Sequence, residues 1–66
     1  MATKQQLKAA ADKIQSVMNA IDDVLNDPSV IAAIASSNVS KTNLSTAKTT
    51  LTGEKSSAHS AFLSAS

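Results

Sequence analysis

The sequence predicts an all-α fold: an antiparallel helical hairpin of two long helices joined by a short capping helix. Apolar residues recur every three or four positions over the first 25 residues, a proline interrupts the pattern at position 28, and a weaker helical pattern follows position 40. This spacing is typical of helices that bury one stripe. The two long segments are nearly equal in length, so they can pair as a single domain over residues 1–66.

The first long helix is predicted over about residues 4–26. Thr3 followed by Gln6 has the spacing of a capping box, which marks a helix start. The apolar residues after it are four, three, four, three and four positions apart, which is the pattern of a coiled-coil seam. The seam residues are Leu7, Ala11, Ile14, Met18, Ile21 and Leu25.

A short second helix is predicted over about residues 28–36. Asp27 is a favoured N-cap and Pro28 suits the first helical position. Asn38 is expected to end this segment in a left-handed conformation. Val30 and Ile34 share one face, whereas Ile31 lies about 100° from Val30.

The positions of these three residues have a consequence for association. A two-helix seam offers one groove, so we expect at least one of Val30, Ile31 and Ile34 to remain partly exposed. We predict that this short helix is the main contact to another subunit, because exposed large apolar side chains favour interfaces.

The third helix is predicted over about residues 41–64. Ser40 is expected as its N-cap, with Val39 and Leu44 at the spacing of a hydrophobic staple. Gly53 could bend or fray the helix, since glycine costs about 1 kcal/mol against alanine. The apolar positions are Leu44, Ala47, Leu51, Ala58, Ala61, Phe62 and Ala65, with Glu54 at the seam position between Leu51 and Ala58.

Charged residues favour the antiparallel pairing and supply further interface candidates. Asp22 and Asp23, near the end of the first long helix, come close to the lysines of the third. Those lysines repeat every seven residues, and we expect them to flank the core, with their stems on apolar surface. Contact with phosphates or an acidic partner is the alternative. The candidate interface residues are Val30, Ile31, Ile34, Lys41, Lys48, Lys55 and Phe62, although a core position is favoured for Phe62.

The composition argues against nucleic-acid binding and catalysis. The net charge is +1, the chain has no arginine or cysteine, and Phe62 is its one aromatic residue. Nucleic-acid-binding proteins normally combine a basic patch with arginines and stacking rings. His59 has Ser57 and Ser60 near it in sequence, but such close neighbours do not face each other on a helix. We therefore expect no enzyme activity, no cofactor and no small-molecule substrate.

Metal binding and membrane insertion are not expected either. Asp22, Asp23 and Asp27 are too few carboxylates for a calcium loop and lack its sharp glycine turn. No basic-then-apolar leader follows Met1, and no apolar run approaches the roughly 20 residues of a membrane span. We expect synthesis in the cytoplasm, followed by incorporation into a virion or another assembly.

The sparse charge of the second half suggests a function. Ser29–Ser66 holds four charged residues and is otherwise mainly alanine, serine, threonine and a few aliphatic residues. A free small protein usually keeps a well-charged surface. We predict a non-enzymatic structural protein that packs against itself or another protein subunit in a multi-copy assembly, with a minor virion or phage component as the favoured context. The alternative is a small regulatory protein that binds one target through an amphipathic helix.

Overall fold

A computed structural model describes residues 2–65 as three helices: α1 over Lys4–Asn26, α2 over Pro28–Ala33 and α3 over Val39–Ser64. No strand occurs among these residues. α1 and α3 pack against each other, and α2 contacts α1. The molecule is a rod of 48 × 16 × 14 Å. The predicted all-α hairpin with a short helix between two long ones is confirmed.

The capping box predicted from Thr3 and Gln6 is present at the start of α1. The Gln6 amide donates to Thr3 Oγ1 at 3.1 Å, and the Thr3 amide donates to Gln6 Oε1 at 2.9 Å. Thr3 has an extended backbone, with φ −77° and ψ 163°. These bonds satisfy two amides that a helix start otherwise leaves without partners, so α1 begins at Lys4 as predicted.

Asp27 both ends α1 and begins α2. Its backbone is extended, which breaks the helical path before Pro28. Its Oδ1 accepts hydrogen bonds from the Ser29 amide at 2.8 Å and the Val30 amide at 3.2 Å. The predicted N-cap and the predicted break between the helices are therefore both confirmed.

α2 is shorter than the sequence predicted. It ends at Ala33, because Ile34 adopts an extended conformation with φ −121° and ψ 123°. The Ile34 carbonyl accepts a hydrogen bond from Lys41 Nζ at 2.7 Å instead of continuing the helix. The prediction that α2 extends to about residue 36 was wrong because this contact, distant in sequence, stabilises the chain outside the helix.

α3 begins two residues before its predicted start. Asn38 is its N-cap, with φ −62° and an Oδ1 that accepts from the Ser40 amide at 2.8 Å. The predictions of a left-handed Asn38 and of Ser40 as the N-cap were therefore wrong. Asparagine caps as well as serine does, and the earlier cap lengthens the helix. Val39 becomes the first helical residue and is 71% exposed, so it forms no staple with Leu44.

α3 continues without a break through Gly53. Every non-glycine residue described has a negative φ, and so does Gly53. Thr49 and Thr52 donate their hydroxyls to the carbonyls one turn earlier, at 3.2 and 2.9 Å. These bonds keep the threonine side chains compatible with a helix, although threonine is a mediocre helix former.

Candidate interaction surface

The contact between α1 and α3 runs along the seam predicted for α1. Among residues 2–65 only Met18 and Ile21 are buried, with exposed fractions of 8% and 7%. The other predicted seam positions of α1 are half-buried. The described part of the chain thus has a core of two buried side chains, because two helices cannot enclose a seam from all sides.

The facing seam of α3 differs from the predicted one, because it contains the lysines. Its half-buried positions are alternately three and four residues apart, as in a coiled-coil seam. Those positions are Lys41, Leu44, Lys48, Leu51, Lys55, Ala58, Phe62 and Ala65. Ala47, Ala61 and Glu54, which were assigned to this seam from the sequence, are exposed.

Each of the three lysines extends its ammonium group to an acceptor within the chain. Lys48 Nζ lies 2.6 Å from Asp22 Oδ1, and Lys55 Nζ lies 2.5 Å from Gln15 Oε1. Lys41 Nζ reaches the Ile34 carbonyl. A lysine can occupy a seam position in this way because its apolar stem covers the core while its head reaches polar groups at the side. Lys48 and Lys55 therefore join α3 to α1, and Lys41 joins α3 to the segment after α2.

Phe62 occupies the fourth step of the same repeat, seven residues after Lys55. It is half-buried, and Lys4 Nζ lies 4.8 Å from its ring centroid. The His59 ring stacks on it with centroids 6.4 Å apart. Lys4 Nζ also lies 3.5 Å from the Ala65 carbonyl, so these residues join the start of α1 to the end of α3.

The apolar candidates in and just after α2 differ in exposure, although Ile34 lies outside the helix. Val30 and Ile34 are half-buried, whereas Ile31 is 57% exposed. The expectation that at least one large apolar side chain of this helix stays exposed is confirmed.

The two edges of the hairpin differ in polarity. The polar edge consists of Gln15 and Asp22 with their partners Lys55 and Lys48. Residues two positions apart lie about 160° apart around a helix. Val17 and Val24, two positions after Gln15 and Asp22, therefore lie on the other flank of α1.

The flank that carries these valines is open. Val17 is 50% exposed and Val24 is 43% exposed. On α3, Ala47 and Thr50 lie on the leucine side of the seam, away from the lysines, by the same helical geometry. We call Val17, Val24, Ala47 and Thr50 the apolar edge. Val17 and Val24 were not among the interface candidates predicted from the sequence.

His59 lines a shallow groove between α1 and α3. The groove has a volume of about 440 Å³ and is also lined by Met18, Thr52, Lys55, Ser56 and Ser60. Within residues 2–65 no hydrogen bond joins a serine hydroxyl to the His59 ring, and no cluster of three histidine, aspartate or glutamate side chains could hold a metal. None of the described helices is both long and apolar enough to span a bilayer.

Comparisons of the chain with protein-family models, with curated proteins and with solved structures gave no match.

Proposed function

We propose that this protein is a non-enzymatic structural subunit that acts through helix–helix packing in a multi-copy assembly. One observation carries the proposal: the described residues bury only Met18 and Ile21, while Val17, Val24 and Ile31 remain 50%, 43% and 57% exposed. Among the described residues, more large apolar side chains are thus exposed than buried.

The small core makes a partner energetically useful. A domain of about 60 residues buries only about 60% of the surface of its unfolded chain, so it is marginal alone. Disulfides are excluded as a means of stabilisation, because the chain has no cysteine. Covering the exposed valines and Ile31 would supply roughly 25 cal/mol for each Å² of apolar surface removed from water. Association is therefore the most direct route to a stable fold.

The remaining polar surface supports packing against protein more than binding of anions. The heads of Lys41, Lys48 and Lys55 already contact acceptors within the chain, so these lysines do not form a free cationic patch. The contact with phosphates or an acidic partner considered from the sequence thus loses its main support. Incorporation into a virion or phage particle stays a prediction from size and composition.

A regulatory protein that binds one target is the second candidate. Val17 and Val24 lie on the same flank of α1, one heptad apart, and such a stripe can occupy a groove on a target protein. The two functions differ in self-association: a structural subunit associates with itself, whereas a regulatory binder stays monomeric until its target is present.

Light scattering after size-exclusion chromatography at micromolar concentration tests the proposal. The chain has a mass of 6.8 kDa, so the proposal predicts a mass of at least twice that value. Refractive index is the suitable detector, because the sequence has no tryptophan or tyrosine. A folded species of 6.8 kDa at all concentrations would contradict the structural role and favour the regulatory binder.

A further inference from the structure

We propose that two copies of this chain pair through their apolar edges, around a two-fold axis, to form an antiparallel four-helix bundle. The inference rests on the proposed function and adds the partner, the surface and the geometry. Three features of the hairpin support it: the directions in which the helices expose apolar residues, the register of the two helices, and the polar residues at the ends of the edge.

The exposed residues of α1 point in the direction that a square bundle requires. In such a bundle each helix lies at one corner of a square, so the directions from it to its two neighbours differ by about 90°. The α1 seam around Met18 and Ile21 faces α3. At 100° per residue, Val17 and Val24 lie about 90° from the centre of that seam. α1 therefore presents apolar residues toward α3 and also toward the position that a helix of a second copy would occupy.

α3 has a second contact direction on the same side of the hairpin. Ala47 and Thr50 lie roughly 100° from the centre of the α3 seam, on the side away from its lysines. Both are exposed and small, which permits close approach of another helix. A second hairpin laid against this edge would thus meet valines from α1 and small residues from α3.

The register of the hairpin gives both helices one common centre. The Lys48–Asp22 and Lys55–Gln15 contacts place residue 48 level with residue 22, and residue 55 level with residue 15. The midpoint between Val17 and Val24 is therefore level with a point near residue 49. That point is also close to the midpoint between Ala47 and Thr50. A two-fold axis at this level brings Val17 opposite Val24 of the second copy and Ala47 opposite its Thr50.

Polar residues at the ends of the edge match under the same axis. Asn43 comes opposite Glu54 of the second copy, where its amide can donate to the carboxylate. Within residues 2–65, Glu54 takes part in no ion pair, so its carboxylate is available for this contact. A two-fold axis along the rod would instead set α1 against α3 of the second copy, and it would bring neither Val17 opposite Val24 nor Asn43 opposite Glu54.

The face of the rod that carries the apolar edge has the dimensions of a dimer interface. A standard interface covers roughly 800 Å² on each partner, which is about a sixth of the 4759 Å² of accessible surface of this chain. A rod 48 Å long with contacts from both long helices can supply that area. A partner of unrelated sequence would not account for the common midpoint of the apolar and polar pairs.

Disulfide cross-linking tests the geometry, because the natural chain has no cysteine. Val17→Cys and Val24→Cys are prepared separately and oxidised in air, each alone and as an equimolar mixture. The two-fold axis predicts that the mixture forms a disulfide dimer, with 17 bonded to 24, several-fold faster than either variant alone. Ala47→Cys mixed with Thr50→Cys is expected to behave in the same way. Faster cross-linking of either variant with itself would overturn the proposal.

A charge placed on the edge tests the same surface by affinity. Val24→Glu is expected to raise the dimer Kd by at least about 100-fold, because the interface would bury an unpaired carboxylate. Leu63→Glu is the matched control, since Leu63 is 66% exposed and lies on the opposite side of α3. Equal Kd values for Val24→Glu and the natural chain would overturn the proposal. Circular dichroism shows whether the helices persist, and the cysteine variants provide the test if Val24→Glu unfolds.

The outcomes distinguish a failure of the two-fold dimer from a failure of the proposed assembly role. If the natural chain stays a folded monomer, both the assembly role and the two-fold dimer fail. If it associates, but the mixed cysteine variants do not cross-link preferentially, the assembly role stands and the two-fold geometry fails.

Discussion

Lys48 and Asp22 lie 2.6 Å apart across the hairpin, and this ion pair joins a seam position of α3 to the flank of α1. Seven residues further along α3, Lys55 makes the same kind of contact with Gln15, seven residues earlier in α1. The residue number rises along α3 as it falls along α1, so these two contacts define the antiparallel register. The lysines therefore place the helices relative to each other, while the apolar residues between them supply most of the buried surface.

The ion pair is expected to act on register more than on stability. Both side chains are about 40% exposed, at 40% and 42%, and such pairs contribute about 0.2–1 kcal/mol. Lys48→Met keeps the apolar stem and is expected to change the free energy of unfolding by less than about 1 kcal/mol. Lys48→Ala removes the stem and is expected to cost more. Urea denaturation followed by circular dichroism measures both, and a larger loss for Lys48→Met than for Lys48→Ala would contradict this role.

The two buried residues are expected to dominate the core. Ile21→Ala should lower the free energy of unfolding by roughly 2–4 kcal/mol, because it leaves a cavity at the most buried position described. Ile14→Ala should cost less, since Ile14 is only half-buried. Val39→Ala is the control, at a position that is 71% exposed. Thermal melts that rank these variants in another order would show that the seam is not the core.

The start of α3 can be tested through its cap. Asn38→Ala should cost about 1 kcal/mol, because the Asn38 side chain accepts from the Ser40 amide. Ser40→Ala is the matched control, and it should change stability little because Ser40 lies inside the helix. If Ser40→Ala were the more destabilising change, the helix would begin at the position expected from the sequence and the observed cap would be wrong.

The comparison between sequence and structure shows where local patterns are sufficient. The starts of α1 and α2 were predictable, because Thr3, Gln6, Asp27 and Pro28 act on backbone groups within three residues. The end of α2 was not, because Ile34 is held by a lysine seven residues away. The cap of α3 was ambiguous, since Asn38 and Ser40 are both good caps.

The interface residues could not be predicted from the sequence alone, because it does not show which residues of α3 face α1. Hydropathy assigned the α3 seam to Ala47 and Ala61, but lysines occupy its alternate positions because their stems are long enough to cover the core. The regular seven-residue spacing that continues from Lys55 to Phe62 was the available signal. Val17 and Val24 stay exposed because the lysines find their acceptors, Gln15 and Asp22, on the other side of α1. The sequence does not show which side that is.

Ile31 tests the contribution of α2 to association. Ile31→Lys should leave the hairpin helical, because the side chain is already 57% exposed. It should raise the Kd of self-association roughly tenfold, since covering about half of an isoleucine side chain contributes on the order of 1 kcal/mol. Ser37→Lys, in the exposed turn after α2, is the control for the added charge. Sedimentation equilibrium measures both, and unchanged association of Ile31→Lys would reduce α2 to a lid on the hairpin.

The central claim is that a second copy completes the core of the hairpin, and the concentration dependence of thermal unfolding tests it most directly. When folding is coupled to association, the Tm rises with protein concentration by mass action. For a dimer of this size, a hundredfold increase in concentration should raise the Tm by roughly 10 °C, as followed by circular dichroism at 222 nm. The same Tm across that range, with a fully helical spectrum at the lowest concentration, would show that the hairpin is stable alone and would contradict the claim.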